Sequence, residues 1–256
     1  MEQSAQQKQS YFSTTRIAFI AMFSTLTGLL YVLKFSMPFA FPGFLEFKFA
    51  DIPVLISAFA LGPSSGAITA TVGIFIKLVI KGTSTAFVGD LSDLVTSCVF
   101  AVTAGVIYRK HRTFKGALCG MAIGTAAEVI IALLFNRLAL VPFYVQAFFH
   151  GNWQPLINMM TPLFPSCTKE TFYNFYLWVS VLPFNLMRCI VASAVTLLVY
   201  KRISRMINKI NRKIYPDAAD GSARAFSKTD ITVIIVAVVL AALLVLFALL
   251  RYFVFD

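Results

Sequence analysis

The chain has 256 residues, of which 59% are hydrophobic and only 13% charged, with a mean hydropathy of +0.80. A soluble domain carries roughly 25% charged residues, so the composition excludes an ordinary soluble fold and predicts an all-α integral membrane protein in a lipid bilayer. The formal net charge of +11 is not a nucleic-acid signal, because in such a chain what matters is where the charges fall relative to the apolar runs.

Residues 1–14 are polar, and the first apolar run, residues 17–33, has no small-residue cleavage site at its end, so no secretory signal is expected. Ala18, Ala21, Thr25 and Gly28 form a stripe of small residues along this first span. Such a stripe lets another helix approach closely in lipid, either within the same chain or on a partner. The stretch 41–63 comes next. Pro42 and Gly43 break any helix, then Phe44, Leu45, Phe47 and Phe49 interleave with Glu46 and Lys48. Asp51 ahead of Pro53 predicts an N-cap with Pro in the first turn, and a short apolar helix then runs to Leu61. An aromatic loop with mixed charge on the mouth of a buried helix suits either a flat, partly polar ligand or an interfacial aromatic belt.

Residues 62–66 predict a tight turn. The third span covers residues 67–80, with Lys77 near its end. The second and third apolar runs are shorter than the ~20 residues of a full crossing, so flanking residues must extend them or neighbours must shelter them. A fourth span opens at Gly89-Asp90-Leu91-Ser92-Asp93, where the two aspartates favour a helix N-terminus. The fifth, residues 117–144, carries Glu128 in its middle and Asn136 and Arg137 near its far end. A carboxylate at that depth must face protein or water. Residues 142–175 are expected to be a long apolar loop lying on the protein or at the interface. The sixth span, residues 175–200, is interrupted by Pro183, and Asn185 and Arg188 are three apart on one helix face. Both would be costly toward lipid, so they predict an inward-facing polar site. A basic, polar linker follows, and then a clean apolar run over residues 231–250.

Cys98, Cys119, Cys167 and Cys189 are scattered without a C-x-x-C pair, and His111 and His150 are far apart, so neither a disulfide framework nor a metal site is expected. There is no P-loop, zinc-protease or nucleophile-elbow motif and no nucleophile–base pair. The chain is therefore expected not to be an enzyme, with no catalytic residues and no resident cofactor. Most of the 22 Lys and Arg residues fall on one side if the N-terminus is cytoplasmic, including Arg109, Lys110, Arg112, Lys115 and the basic run after residue 200, which predicts that orientation. The loops at 41–52 and 142–175 then lie outside.

Two motifs carry a resemblance. Phe44-Leu45-Glu46-Phe47-Lys48-Phe49-Ala50-Asp51-Ile52-Pro53 is similar to the F-L-K-F-D-F-S-D-I-P of the riboflavin-specific substrate-binding (S) components of energy-coupling factor (ECF) transporters, and Pro183-Phe184-Asn185-Leu186-Met187-Arg188 to their P-F-N-L-I-K. The hydrophobic frame, Asp51 and Pro53 fit; Glu46, Lys48 and Ala50 depart from it, and Arg188 stands where Lys is usual. The resemblance covers roughly residues 12–205 and implies a six-helix S-component bundle in the bacterial cell membrane. Residues 1–14 would be a cytoplasmic N-terminus, 15–205 the substrate-binding domain, 206–229 a linker and 230–256 an extra seventh transmembrane helix outside the family pattern. It implies riboflavin as transported ligand, contacted by Asn136, Asn185 and Arg188, with Phe44, Leu45, Phe47 and Tyr144 as apolar cover and Asp51 beside them. As partners it implies a transmembrane coupling protein and two ATP-binding cassette ATPases, docked through Ala18, Ala21, Thr25 and Gly28. Another vitamin or FMN as ligand, or a non-transport membrane protein that recruits partners, are the alternatives.

Overall fold

Helix α1 spans Thr14–Val32, and the chain then turns through a small antiparallel hairpin, β1 Lys34–Ser36 and β2 Glu46–Lys48. Helices α2 (Asp51–Leu61), α3 (Pro63–Lys81), α4 (Val88–Lys110) and α5 (Phe114–Phe135) follow, and a π-helical turn, Asn136–Leu140, leads into α6 (Val141–Ala147). After α7 (Gln154–Met160), a second π-helical stretch, Asn174–Val181, leads into α8 (Leu182–Ile214). This computed structural model describes residues 14–83 and 85–214, with side chains to residue 199. The expected N-terminal segment up to residue 13, the distal linker and the seventh helix lie outside the described residues.

Among the described residues, five segments are long and apolar enough to cross a membrane: Thr14–Val32, Pro63–Lys81, Val88–Lys110, Phe114–Ala147 and Asn174–Val199; the short α2 is the sixth element of the bundle. α2 survives at 11 residues because its neighbours shelter it: every residue from Pro53 to Leu61 is buried. Its start differs from expectation. Ala50 occupies the N-cap position without a side-chain hydrogen bond, and Asp51 is the first helical residue, which frees its carboxylate for a distant partner. The turn expected over residues 62–66 contracts to Gly62 alone. With φ at 102°, that residue takes a backbone conformation that favours glycine, and Pro63 opens α3 at once, as a residue with a preset φ can. Ser64 and Ser65 therefore sit in the first turn of α3, where the Arg16 guanidinium donates to both, at 3.3 and 2.7 Å. Arg16 is only 1% exposed and is an interior clasp between α1 and α3.

The core sits where α2, α4, α5 and α8 meet, around Leu55, Phe59, Phe100, Met121 and Cys189. Large apolar side chains such as Leu26, Phe75, Ile123 and Ile190 are exposed on the outside of the bundle, where hydrocarbon makes that costless. The stripe on α1 divides: Ala18, Ala21 and Thr25 are exposed, whereas Gly28 is buried. A Cβ on Gly28 would lie 2.5 Å from Ile76 of α3, and one on Gly73 would lie 2.4 Å from Thr27 of α1. Gly28 thus serves packing inside this chain and not an outer face. Gly73→Val is expected to force these helices apart at a cost of about 1–3 kcal/mol, read as a lowered thermal midpoint in detergent; an unchanged midpoint would show that the contact can give.

The stretch 142–175 is not a plain loop. α6 and α7 lie within it, and Leu156, Met160, Phe172 and Tyr176 form a separate apolar cluster with Val141 and Val145. Pro183 does not break the sixth span: the π-helical stretch before it absorbs the missing N–H, and α8 continues to Ile214, past the expected domain end at 205. Cys98, Cys119, Cys167 and Cys189 are free thiols.

Candidate functional site

A cavity of about 360 Å³ opens between the hairpin, the N-terminal end of α4, the π-helical turn after α5 and the start of α8. Its volume is in the range of small-molecule sites. Of the residues expected from the sequence, Phe44, Leu45, Asn136, Tyr144, Asn185 and Arg188 all line it. Phe47 and Asp51 do not. Side chains alternate along a strand, so in β2 Glu46 and Lys48 face the cavity while Phe47 turns away and packs with Phe41 and Phe184, 4% exposed. Of the three departures from the family motif, Glu46 and Lys48 are therefore lining residues, while Ala50 is buried and the family-like Phe47 is core. Asp51 is 2% exposed and lies behind Arg188.

Two carboxamides are fixed at matching places. Asn136 donates one N–H to the Ala132 carbonyl at 2.8 Å, and its oxygen accepts from the Tyr176 hydroxyl at 2.6 Å. Asn185 donates to the Val181 carbonyl at 2.8 Å. Both stand where π-helical and α-helical geometry meet, a widening of the helix that often marks a functional position. An amide group has two N–H donors and an oxygen with two lone pairs, so each side chain is oriented by the backbone and keeps a donor and a lone pair for a bound molecule. The Phe44 ring stands 5.8 Å from that of Tyr176, which stacks in turn on Phe172 at 5.3 Å. Tyr144 stacks on Phe148 at 5.2 Å. The site thus combines aromatic faces with a few fixed polar groups.

Its charges are paired. Lys34 binds Glu46, Lys48 binds Asp93 and Lys77 binds Asp90, which also accepts from Thr83 at 2.6 Å. At the inner end Arg188 is ion-paired with Glu128 of α5, donates to Thr96 of α4 at 3.3 Å, and lies 3.5 Å from Asp51 of α2. The other Asp51 oxygen accepts from Ser97, whose hydroxyl is 3.3 Å from that of Tyr31. Glu128 is 0% exposed and Arg188 2%, so Glu128 is an interior residue, as its depth in the span requires. Outside the spans, burial pushes the Tyr173 phenol above its ordinary value, and Arg137, 5.6 Å from the ring, pulls partly the other way. Tyr173 therefore stays neutral at physiological pH.

Sequence reasoning missed Lys34, Lys77 and Asp93 as members of the site. A usable signal existed for Lys77, a cation inside an apolar run, since such residues face protein or water. Asp90 and Asp93 were expected only to favour the α4 N-terminus. They do stand there, in the cavity wall as well.

The family model for the substrate-specific component of ECF transporters matches residues 15–200. The chain belongs to this family. The S component is 27% identical over 195 residues to a Staphylococcus aureus protein named riboflavin transporter RibU, covering 76% of this chain and 93% of the relative. It is 23% identical to riboflavin transporter FmnP of Bacillus subtilis over 76% of this chain and 94% of that one, and 28% identical to riboflavin transporter RibU of Lactococcus lactis over 71% and 89%. A solved structure described as the S component of a bacterial ECF transporter superposes with a TM-score of 0.56 at 27% identity, over 75% of this chain and 96% of that one. These relatives are transporters, in line with the expectation that this S component is not an enzyme, and its apolar helices make it a multi-pass membrane protein.

Proposed function

We propose that this S component captures riboflavin in the cavity described above, from the outer side of the membrane, and delivers it inward when joined to an energising module. The observation that carries the proposal is the convergence on one cavity of two oriented carboxamides, Asn136 and Asn185, with the rings of Phe44, Tyr144 and Tyr176. An amide–imide ring edge needs alternating donors and acceptors, which carboxamides supply, and a flat ring needs aromatic or apolar cover. The names of the relatives support the same ligand. The module is a transmembrane coupling protein with two ATP-binding cassette ATPases, which the S component meets through the exposed Ala18, Ala21 and Thr25 on α1. The basic clusters at Arg109 to Lys115 and after residue 200 support a cytoplasmic N-terminus, with the cavity mouth outside.

Titration of riboflavin into the purified S component should quench flavin fluorescence; binding of thiamine, folate or biotin in its place would refute the ligand. Asn185→Ala removes a donor–acceptor pair from the wall and leaves ligand atoms unpaired, costing about 1–3 kcal/mol. Riboflavin affinity should fall roughly tenfold to hundredfold. An unchanged dissociation constant in a folded variant would remove Asn185 from the site.

A further inference from the structure

We propose that the last part of α8, residues 200–214, is a lipid-binding element that docks on the anionic phosphate headgroups of the cytoplasmic leaflet. The inference rests on the orientation proposed above and is independent of the ligand in the cavity.

α8 is longer than a crossing needs. It runs unbroken from Leu182 to Ile214, about 50 Å at ~1.5 Å per residue, whereas the apolar span ends at Val199. Leu197 packs with the cluster that holds Tyr108 and Ala117, and Val199 with the one that holds Ile20 and Leu61. α8 therefore leaves the bundle beside the α4–α5 turn, at the end away from the cavity. The composition changes at that point. Residues 200–214 include Lys201, Arg202, Arg205, Lys209, Arg212 and Lys213, and the chain has no acidic residue between Glu170 and Asp217. At ~100° per residue the six cations fall in one sector of the helix, roughly 120° wide. Ile203, Met206, Ile207, Ile210 and Ile214 fall in the neighbouring sector.

Such a helix needs a counter-charge and cover for its apolar sector, and an anionic membrane surface supplies both. Clusters of about four to eight Lys or Arg at the cytoplasmic end of a span are drawn to acidic lipids. An apolar sector beside them buries at the boundary between headgroups and acyl chains. The rule that sets topology asks only for cations on one side of the membrane; it does not ask that they share a helix face next to an apolar stripe. Lys110, Arg112 and Lys115, exposed around the α4–α5 turn, extend the same basic surface. A second copy of the helix would also cover the isoleucines, but it would set like charges side by side along its length, which is unfavourable. Charge thus decides for lipid.

The test is amide hydrogen exchange of the full chain in nanodiscs of phosphatidylcholine or of phosphatidylglycerol, at low salt. Residues 200–214 should exchange about tenfold or more slowly in phosphatidylglycerol. The difference should vanish at about 1 M salt, where the Debye length is about 3 Å. A variant combining Lys209→Gln, Arg212→Gln and Lys213→Gln should lose most of the difference. Glutamine has nearly the helix propensity of lysine and arginine, so this variant tests charge and not helix formation. The wild-type comparison between lipids stands whether or not the variant folds. Equal exchange of the wild type in the two lipids would overturn the proposal, as would a difference that salt does not screen or that a folded variant keeps. Both leaflets of a nanodisc carry the same lipid, so this result does not depend on orientation. Labelling of intact cells with a membrane-impermeant amine reagent tests the orientation separately. Labelling of Lys209 or Lys213 from outside would overturn the cytoplasmic assignment, whereas equal exchange without such labelling would overturn lipid docking alone.

Discussion

Arg188→Leu is expected to prevent accumulation of the folded S component in the membrane. The guanidinium is the shared counter-charge of Asp51 on α2 and Glu128 on α5, and its contact with Thr96 ties in α4. Leucine would leave two carboxylates buried in the bundle without a cation, and removing one partner of a buried ion pair costs about 3–5 kcal/mol. That is a large fraction of the roughly 5–15 kcal/mol that holds a domain together. The yield of monodisperse protein in detergent and its thermal midpoint report the effect directly. Arg188→Lys keeps one positive charge at the same depth, so it should restore folding and part of the ligand affinity, with the fork-shaped contact to two carboxylates lost. A normal yield and midpoint for Arg188→Leu would mean that Asp51 and Glu128 are not held as a charged cluster.

Ala21→Trp should abolish uptake while riboflavin binding stays near normal. Ala21 is exposed on α1, between Ala18 and Thr25, while the buried face of the same helix uses Ile20, Phe23, Ser24 and Thr27. Apolar surface gives little driving force for helix association within lipid, so close backbone approach supplies the association energy, and a bulky ring there forfeits many small dispersion contacts at once. The readouts are uptake of labelled riboflavin by cells and co-purification of the coupling protein, each beside a binding titration on the isolated chain. Loss of uptake and co-purification with binding intact is the expected pattern. Loss of binding as well would show that the face packs within this chain, as Gly28 does against α3, and would sink the docking surface.

Much of the architecture was legible because its cause is local. Twenty or so apolar residues in a row dictate a crossing, and the spans at residues 17–33 and 175–200 needed nothing more to be placed. Glu128 and Arg188 announced an interior site by themselves, since neither is tolerated against hydrocarbon. The short run at 53–61 was marked as needing shelter, and the bundle supplies it.

The sequence alone thus determined a helical membrane bundle with a polar, aromatic site toward one side, including Asn136, Asn185 and Arg188. Tertiary structure decided which polar groups meet. Arg188 finds Glu128 60 residues away, and Lys48 finds Asp93 45 residues away, distances over which no periodicity links one side chain to another. It also decided which way the motif at 44–53 faces: the alternation of Glu46, Phe47, Lys48 and Phe49 marks two faces but does not say which of them meets the cavity. Only the pairing with β1 turns Glu46 and Lys48 to the cavity and Phe47 to the core. Asp51 looks like a cap in the sequence because capping is a local event; in the fold its carboxylate goes instead to Ser97 and Arg188, because the start of α2 is itself buried and a buried carboxylate needs a cation, which α8 supplies.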